Sequence, residues 1–254
     1  MRCLFEVIYE DTDLLVVHKP ADLVCHPTKG DEYSSLISRA RIYLQRQAGD
    51  TPEPLTPHLI HRLDRETSGL VVIAKNAAAA RELGKIWETR AVQKEYLAIV
   101  HGHMAEDQGT VTAALGKDEA SPVAIKDCVR PDGQPAQTDF FVEKRFLRAA
   151  CGSRPTAPFS LLRVRPLTGR KHQIRIHLAH LGHPIVGDKI YGGDPDLYLA
   201  LVEKRLTEEA RTRLILPQQA LHAGRIQFEW RGQSRDFFTP PEAAFAGFIS
   251  EASS

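Results

Sequence analysis

Residues 58–75 read HLIHRLDRETSGLVVIAK, and this stretch decides how the rest of the chain is arranged. Its second part, residues 70–74, is a run of apolar and mostly β-branched residues, which is typical of a buried strand. Thr67, Ser68 and Gly69 come directly before that run and are residues typical of turns. The pattern therefore predicts that Asp64 lies on a bend that leads into a buried strand.

Asp64 is the residue of this stretch with the most obvious chemical potential. It is flanked by Arg62 and Arg65, and nearby positive charge lowers the pKa of a carboxyl so that it stays ionised. An ionised carboxylate on a rigid bend can act as a base or as a nucleophile. The alternative is that Arg-x-Asp-Arg forms a solvated surface ion pair without a chemical role. Spacing alone does not decide between the two interpretations.

Three further blocks follow the central stretch. Residues 94–100 read KEYLAIV, residues 133–140 read GQPAQTDF, and residues 168–178 read TGRKHQIRIHL and continue to PIVGD at 184–188. Together the four blocks resemble the RluA-type pseudouridine synthases, whose signature runs His-Arg-Leu-Asp, two residues, Thr-Ser-Gly and an apolar strand. The resemblance covers about residues 5–240, and four blocks in register are more specific than any one of them.

This resemblance implies an α+β fold in which a mainly antiparallel mixed sheet is flanked by helices and carries the active-site cleft. It also implies an isomerase that converts uridine to pseudouridine in ribosomal or transfer RNA. No cofactor is expected, because the isomerisation involves no net oxidation and gains no group. The sequence leaves open which RNA and which uridine are modified, and whether the carboxylate attacks C1′ or starts an elimination.

The resemblance also implies roles for individual residues. Asp64 would be the catalytic carboxylate, and Tyr96, on a predicted strand, would lie against the target base. Arg175 would pair with Asp64 and keep it ionised and aimed. Arg62 would enter the RNA as the uridine leaves its stack. The residues expected to line the pocket are Leu70 and Ile174.

The net charge is only +1, but the charges are unevenly distributed. Residues 144–187 contain nine Lys or Arg and no Asp or Glu. Such asymmetry indicates a surface that meets phosphates, and the alternative is a merely solvated basic face. Arg170 and Lys171 lie in this window at the start of a helix predicted for residues 168–181, where positive side chains oppose the helix dipole unless an anion binds. We therefore expect both residues to contact RNA.

The length and the 43% hydrophobic content predict a single catalytic domain spanning residues 1–254. A hairpin predicted close to Met1 leaves no room for a preceding RNA-binding module of the S4 type. No apolar run has the length of a membrane span or signal peptide, and the four cysteines lack zinc-site spacing. We expect a cytoplasmic monomer that binds neither metal nor membrane and has free thiols. The three residues His177, His180 and His183 are interpreted as structural.

Residue patterns predict the remaining elements. Strands or hairpins are expected at 5–18, 92–100, 109–115, 138–146, 159–164 and 220–230, and helices at 36–44 after Ser34 or Ser35, from Asn76 to 88, and within 197–214. Residues 116–134 are predicted to be an exposed connection. Nothing after Phe248 is expected to be ordered.

Two functions from other classes remain possible at this point. One is a catalytically silent RNA-binding protein of the same fold, which would be marked by loss of the Asp or the Tyr, but both are present. The other is a nucleoside hydrolase, which is disfavoured because nothing suggests a second acid for a leaving group or a water.

Overall fold

The computed structural model describes residues 5–27, 34–48, 56–149 and 156–250. The strands are β1 (Glu6–Glu10), β2 (Leu14–Lys19), β3 (His58–Leu59), β4 (Ser68–Ala74), β5 (Val92–His101), β6 (Gln108–Thr112), β7 (Leu115–Lys117), β8 (Asp127–Val129), β9 (Gln137–Ala149), β10 (Thr156–Pro166), β11 (Leu221–Trp230) and β12 (Gln233–Phe238). The helices are α1 (Leu36–Ala48), α2 (Ala77–Glu88), α3 (Gln173–His180), α4 (Pro195–Val202), α5 (Glu208–Leu214) and α6 (Ala243–Ser250). The predicted α+β class is confirmed.

The chain divides into two compact units. The first comprises Met1–Lys94 and His222–Pro241, and the second comprises Glu95–Leu221 and Glu242–Ser254. The chain therefore crosses from one unit to the other within β5, within β11 and after β12. No helix in the described ranges is long and apolar enough to cross a membrane.

The first unit is built around β4, the strand predicted from residues 70–74. Strand β2 pairs with it in antiparallel orientation and β11 in parallel orientation, while β1 extends the sheet beside β2, and β3 and β12 pair with β4 and β11. All residues of β2 and β4 are buried, as a strand covered on both faces requires. Helix α2 packs on this core through Ala79 and Leu83, and the Asn76 Oδ1 caps it by accepting the N–H of Ala79 at 2.9 Å, as predicted.

Gly69 allows β4 and β11 to approach each other closely. Its φ is +115°, and a Cβ at this position would lie 2.3 Å from the carbonyl oxygen of Ala223, the residue opposite it in the parallel register. A side chain is excluded both by the backbone conformation and by the space. Gly69, the last residue of the Thr-Ser-Gly segment, is therefore also the point at which β11 pairs with β4.

The second unit contains an antiparallel sheet in the order β5-β10-β9-β6 and a separate hairpin of β7 and β8. The predicted antiparallel pairing is confirmed, but the predicted meander is wrong, because β10 lies between β5 and β9 and β6 pairs with β9 instead of β5. Helix α3 buries Ile174 and Leu178 in a core with Ile99, Phe140 and Leu162 from the strands.

The start of α3 differs from the prediction, which placed it at residue 168. The structure begins the helix at Gln173, after His172 with a φ of +55°. The side-chain oxygen of Gln173 accepts bonds from the Thr168 hydroxyl at 2.7 Å and the Arg170 N–H at 3.0 Å, so these bonds hold residues 168–172 in a turn. Arg170 and Lys171 therefore precede the helix, and the argument that its dipole demands an anion does not apply to them.

Two other expectations were wrong. Residues 116–134 include the β7–β8 hairpin, and residues beyond Phe248 continue α6 as far as Ser250. Helix α6 is stabilised by burial of Phe245 and Phe248, a short apolar pattern that its Ala- and Gly-rich sequence disguises. The cap predicted for α1 is confirmed, because the Ser35 hydroxyl accepts the Ser38 N–H at 3.3 Å.

Candidate functional site

Asp64 lies on the loop between β3 and β4, as predicted. It is half-buried, and its carbonyl oxygen accepts the N–H of Thr67 at 3.2 Å, which closes a turn directly before β4. Arg65 does not serve Asp64 in the way its spacing suggested, because its Nε donates to Asp22 at 2.7 Å in an exposed ion pair. Asp22 itself has a φ of +68°, the left-handed conformation expected at this turn.

Lys19 holds the backbone of the Asp64 loop through the carbonyl oxygen of Arg65. It is fully buried at the end of β2, and its Nζ donates to the carbonyl oxygens of Pro20 and Leu23 at 2.8 Å and of Arg65 at 3.0 Å. A buried ammonium is tolerated only with such partners. The sequence analysis gave this lysine no role, although a Lys that ends a mostly apolar strand is a signal of a buried charge.

Removing the Lys19 ammonium should destabilise the first unit. We expect Lys19→Met to lower the free energy of unfolding by about 3 kcal/mol, because three carbonyls lose a buried partner. Chemical denaturation followed by circular dichroism measures this. Arg65→Ala is the matched control, since it keeps the carbonyl that Lys19 binds and should change stability little. Equal stability of Lys19→Met and the wild type would disprove the role of the ammonium.

Further contacts hold both ends of the loop. Cys25 Sγ lies 3.4 Å from the N and 3.5 Å from the O of Leu63, next to Asp64. The Nε2 of His61 accepts the Val72 N–H at 3.2 Å, and burial lowers the pKa of His61 to about 3, which keeps its ring neutral and able to accept. At the far end the Ser68 hydroxyl is bonded to buried His222 at 2.9 Å. The loop that carries Asp64 is thus anchored before and after it.

The other candidates are distributed over both units. Arg62 is exposed and lies in the first unit, where Leu70 is fully buried in the core. In the second unit Tyr96 is half-buried on β5, opposite Val164 of β10, and Ile174 is 6% exposed. Leu70 and Ile174 both contribute to cores, and their expected pocket-lining role stays a prediction.

Arg175 is buried on α3 and forms a two-pronged ion pair with Asp188. Its Nε lies 2.7 Å from Oδ2 and its Nη2 lies 2.9 Å from Oδ1, while its guanidinium carbon lies 5.0 Å from the centre of the Tyr191 ring. The side-on fork was expected with Asp64, and the structure gives it to a carboxylate to which the sequence assigned no role. A pairing of Arg175 with Asp64 stays a prediction.

An open pocket with a volume of about 540 Å³ lies beside the β7–β8 hairpin. Its charged lining residues are Lys117, Glu119, Asp127, Arg130, Asp132, Arg170 and Lys171. The Nζ of Lys171 lies 2.9 Å from Asp127, and the Nε of Arg170 donates to the carbonyl oxygen of Pro135 at 3.2 Å. The two residues predicted to contact RNA are therefore brought together in a pocket large enough for a small ligand or a nucleotide.

The basic window of residues 144–187 is largely compensated in three dimensions. Acidic residues from outside the window form ion pairs with Arg145, Arg163, Arg165, Lys171 and Arg175. Arg154 lies outside the described residues. Much of the positive charge in the window is therefore neutralised by these acidic residues, so the window does not form a basic surface as large as its sequence suggests.

The predicted histidine group has structural partners. His177 is buried and bonded to the Thr138 hydroxyl at 2.8 Å and to the Ala113 carbonyl at 3.0 Å, and His183 is bonded to the His101 carbonyl at 2.8 Å. Within the described ranges no group of three His, Cys, Asp or Glu is arranged to hold a metal ion.

Comparison with known proteins places these residues in context. A family model described as RNA pseudouridylate synthase matches residues 13–180. Ribosomal large subunit pseudouridine synthase D of Salmonella typhimurium is 35% identical over 219 residues, which are 86% of this chain and 60% of that protein. The corresponding protein of Haemophilus ducreyi is 34% identical over 96% of this chain and 69% of its own length.

A solved structure from the same kind of protein is also similar to this chain. Human RNA Pseudouridylate Synthase Domain Containing 1 superimposes with a TM-score of 0.70 at 28% identity, over 93% of this chain and 83% of the human one. The chain spans 60% of the length of the Salmonella protein.

Proposed function

The chain belongs to the RNA pseudouridylate synthase family, and on that premise we propose that it isomerises uridine to pseudouridine in RNA of the large ribosomal subunit. The observation that carries the proposal is Asp64, a half-buried carboxylate within the matched residues on a loop held by Lys19 and Cys25. The relatives from Salmonella and Haemophilus, whose names specify the ribosomal large subunit, favour that substrate over transfer RNA.

The chemistry requires one carboxylate at the sugar. The bond from N1 to C1′ breaks, uracil rotates within the site, C5 joins C1′, and the C5 proton leaves to solvent. Asp64 either attacks C1′ or removes a proton from the sugar to begin elimination. The anchored loop favours both routes equally, because each needs a carboxylate aimed at a fixed point.

The remaining roles extend the proposal to other residues. Arg175 aims the Asp64 carboxylate, and Tyr96 lies against the base of the extruded uridine. Arg62 is exposed and takes the place of the uridine in the RNA, where a planar cation can stack. These roles rest on the family resemblance of the blocks that contain the three residues.

RNA backbone contact belongs to the pocket beside the β7–β8 hairpin. There Arg170 and Lys171 meet phosphates, and Lys171 exchanges its ion pair with Asp127 for one with RNA. Each such contact releases counterions, so it adds about 0.7 to 0.9 to the slope of log affinity against log salt.

Replacing both pocket cations should therefore weaken binding without affecting chemistry. The double variant Arg170→Ala/Lys171→Ala should bind RNA several-fold more weakly at low salt, with a salt slope reduced by about 1.5. Its rate with saturating RNA should hold. Fluorescence titration of labelled RNA at several salt concentrations measures the slope. Arg225→Ala, which removes an ion pair with Asp236 in the first unit, is the control, and an unchanged slope in the double variant would place the RNA elsewhere.

The proposed function is tested by mapping pseudouridines chemically in ribosomal RNA from cells with and without this gene. The expected result is the loss of one or more pseudouridines from large-subunit RNA and their return when the gene is restored. Identical maps for all ribosomal RNA would refute the proposed substrate.

A further inference from the structure

The Asp188 carboxylate is a buried charge of the second unit that the proposed chemistry leaves unused. Its side chain is fully buried, and besides the two bonds from Arg175 its Oδ1 accepts the backbone N–H groups of Ile190 at 2.9 Å and Tyr191 at 3.0 Å. Burial by itself would raise the pKa of this carboxyl, but the Arg175 guanidinium and the two N–H donors hold it below the usual range. Asp188 is therefore a fixed anion.

The turn that carries Asp188 is itself tightly constrained. Gly187 has a φ of +79°, and a Cβ there would lie 2.4 Å from the carbonyl oxygen of Gln218. The next residues are bonded back to Asp188, so the carboxylate cannot follow Arg175 if the guanidinium moves. The direction of positioning therefore runs from Asp188 to Arg175.

Two contacts restrict the guanidinium of Arg175. The fork with Asp188 fixes its rotation within the plane, and the Tyr191 ring lies 5.0 Å from its carbon and restricts motion out of the plane. The Tyr191 ring is held in turn, because its hydroxyl accepts the Asp127 N–H at 3.2 Å and is bonded to His172 at 2.9 Å. The directions of all N–H donors of Arg175 are thereby set.

Stability alone is a weak explanation for this arrangement. Burying two charges costs desolvation energy that their attraction often does no more than offset. The two-pronged ion pair can instead set the orientation of a functional guanidinium. A hydrophobic pair of similar volume could not do so.

We infer that Asp188 is a positioning residue of the isomerase reaction, which acts by aiming Arg175. The inference rests on the proposed function, in which Arg175 serves Asp64. Asp188 touches neither uridine nor the reacting atoms in this scheme, and its effect reaches the chemistry only through the guanidinium of Arg175.

The first test is Asp188→Asn, which preserves size and an oxygen acceptor for the two backbone N–H groups but turns an amide toward the guanidinium. We expect the rate with saturating large-subunit RNA to fall about fivefold or more, with RNA affinity within about twofold of the wild type. Glu10→Gln is the matched control, because it makes the same change opposite the nearly buried Lys75, at 2.8 Å in the first unit. It should reduce thermal stability and leave the saturated rate unchanged.

Two further variants separate aiming from folding. In the Arg175→Lys background, Asp188→Asn should cost less than about twofold more in rate, since a residue that acts through Arg175 has nothing left to aim. Asp188→Glu keeps the charge but moves the carboxylate by one methylene, and it should also lower the saturated rate. Additive losses, or wild-type rates for folded Asp188→Asn or Asp188→Glu, would overturn the inference.

A spectroscopic readout distinguishes failure of the inference from failure of the proposed function. A chain that turns over no RNA would remove the proposed function but would leave the fork to be tested by proton–nitrogen correlation NMR. The Nε–H of Arg175 should exchange slowly with solvent in the wild type and in Glu10→Gln, and rapidly in Asp188→Asn. Equal exchange rates in all three would show that Asp188 does not hold Arg175.

Discussion

Asp64→Asn should abolish pseudouridine formation while leaving RNA binding nearly intact. The substitution keeps the shape of the side chain and the backbone contacts of the loop, but an amide can neither attack C1′ nor remove a sugar proton. Loss of the group that starts the reaction lowers rates by about a thousandfold or more. RNA affinity should stay within about twofold, because phosphate contacts supply most of the binding free energy.

The chain offers a close control for this experiment. Asp22→Asn is also an Asp-to-Asn change in the first unit, at a residue that contacts Arg65 on the Asp64 loop. Asn tolerates the left-handed backbone of Asp22, so the Asp22→Asn variant should retain its rate. Appreciable turnover by Asp64→Asn, or equal losses in both variants, would remove Asp64 from the catalytic role.

Arg175→Lys should give the second largest effect, a fall of about tenfold or more in the rate with saturating RNA. Lysine keeps the positive charge, but it cannot form the fork with Asp188 or present a rigid plane of donors to a second carboxylate. That loss corresponds to about 1.4 kcal/mol of barrier. RNA affinity should change little, because Arg175 is buried and its guanidinium is paired with Asp188, so it is not expected to contact phosphates.

The comparison for Arg175 is an arginine whose ion pairs are only partly buried. Arg163→Lys changes a side chain paired with Glu143 and Glu95, and it should leave both rate and affinity near the wild type. If Arg175→Lys instead weakens RNA binding and the saturated rate holds, Arg175 belongs to the RNA surface and Asp64 is oriented by another group.

The fold was predictable where local signals and burial agree. Residues 70–74 form a strand whose side chains are buried on both faces, as a short continuous apolar run predicts. Asn76 caps α2 because its side chain reaches the N–H of Ala79. The start of α3 was not predictable in this way. It depends on Gln173 bonding to residues of β9 at 2.9 Å, and such a tertiary bond leaves no mark in local periodicity.

The same contrast between local signals and distant contacts applies to the residues of the candidate site. Asp64, Tyr96 and Arg175 were identified from blocks that resemble a family, whereas Asp188 and Lys19 were given no role. Both are buried charges whose importance lies in partners distant along the chain, the guanidinium of Arg175 and the carbonyl of Arg65. The spacing predicts that the side chain of Arg65 lies near Asp64. In the structure it is paired with Asp22 instead, because a turn brings Asp22 and Arg65 together.

The central claim is that this chain converts uridine to pseudouridine in large-subunit ribosomal RNA. The most direct measurement incubates the purified chain with a transcript of that RNA carrying tritium at C5 of uridine, and counts the tritium released to water and the free uracil. We predict release of tritium in step with pseudouridine formation and no free uracil, because the new bond from C5 to C1′ displaces the label while the base stays attached. Absence of tritium release to water, whether the label stays on the RNA or leaves in free uracil, would contradict the claim.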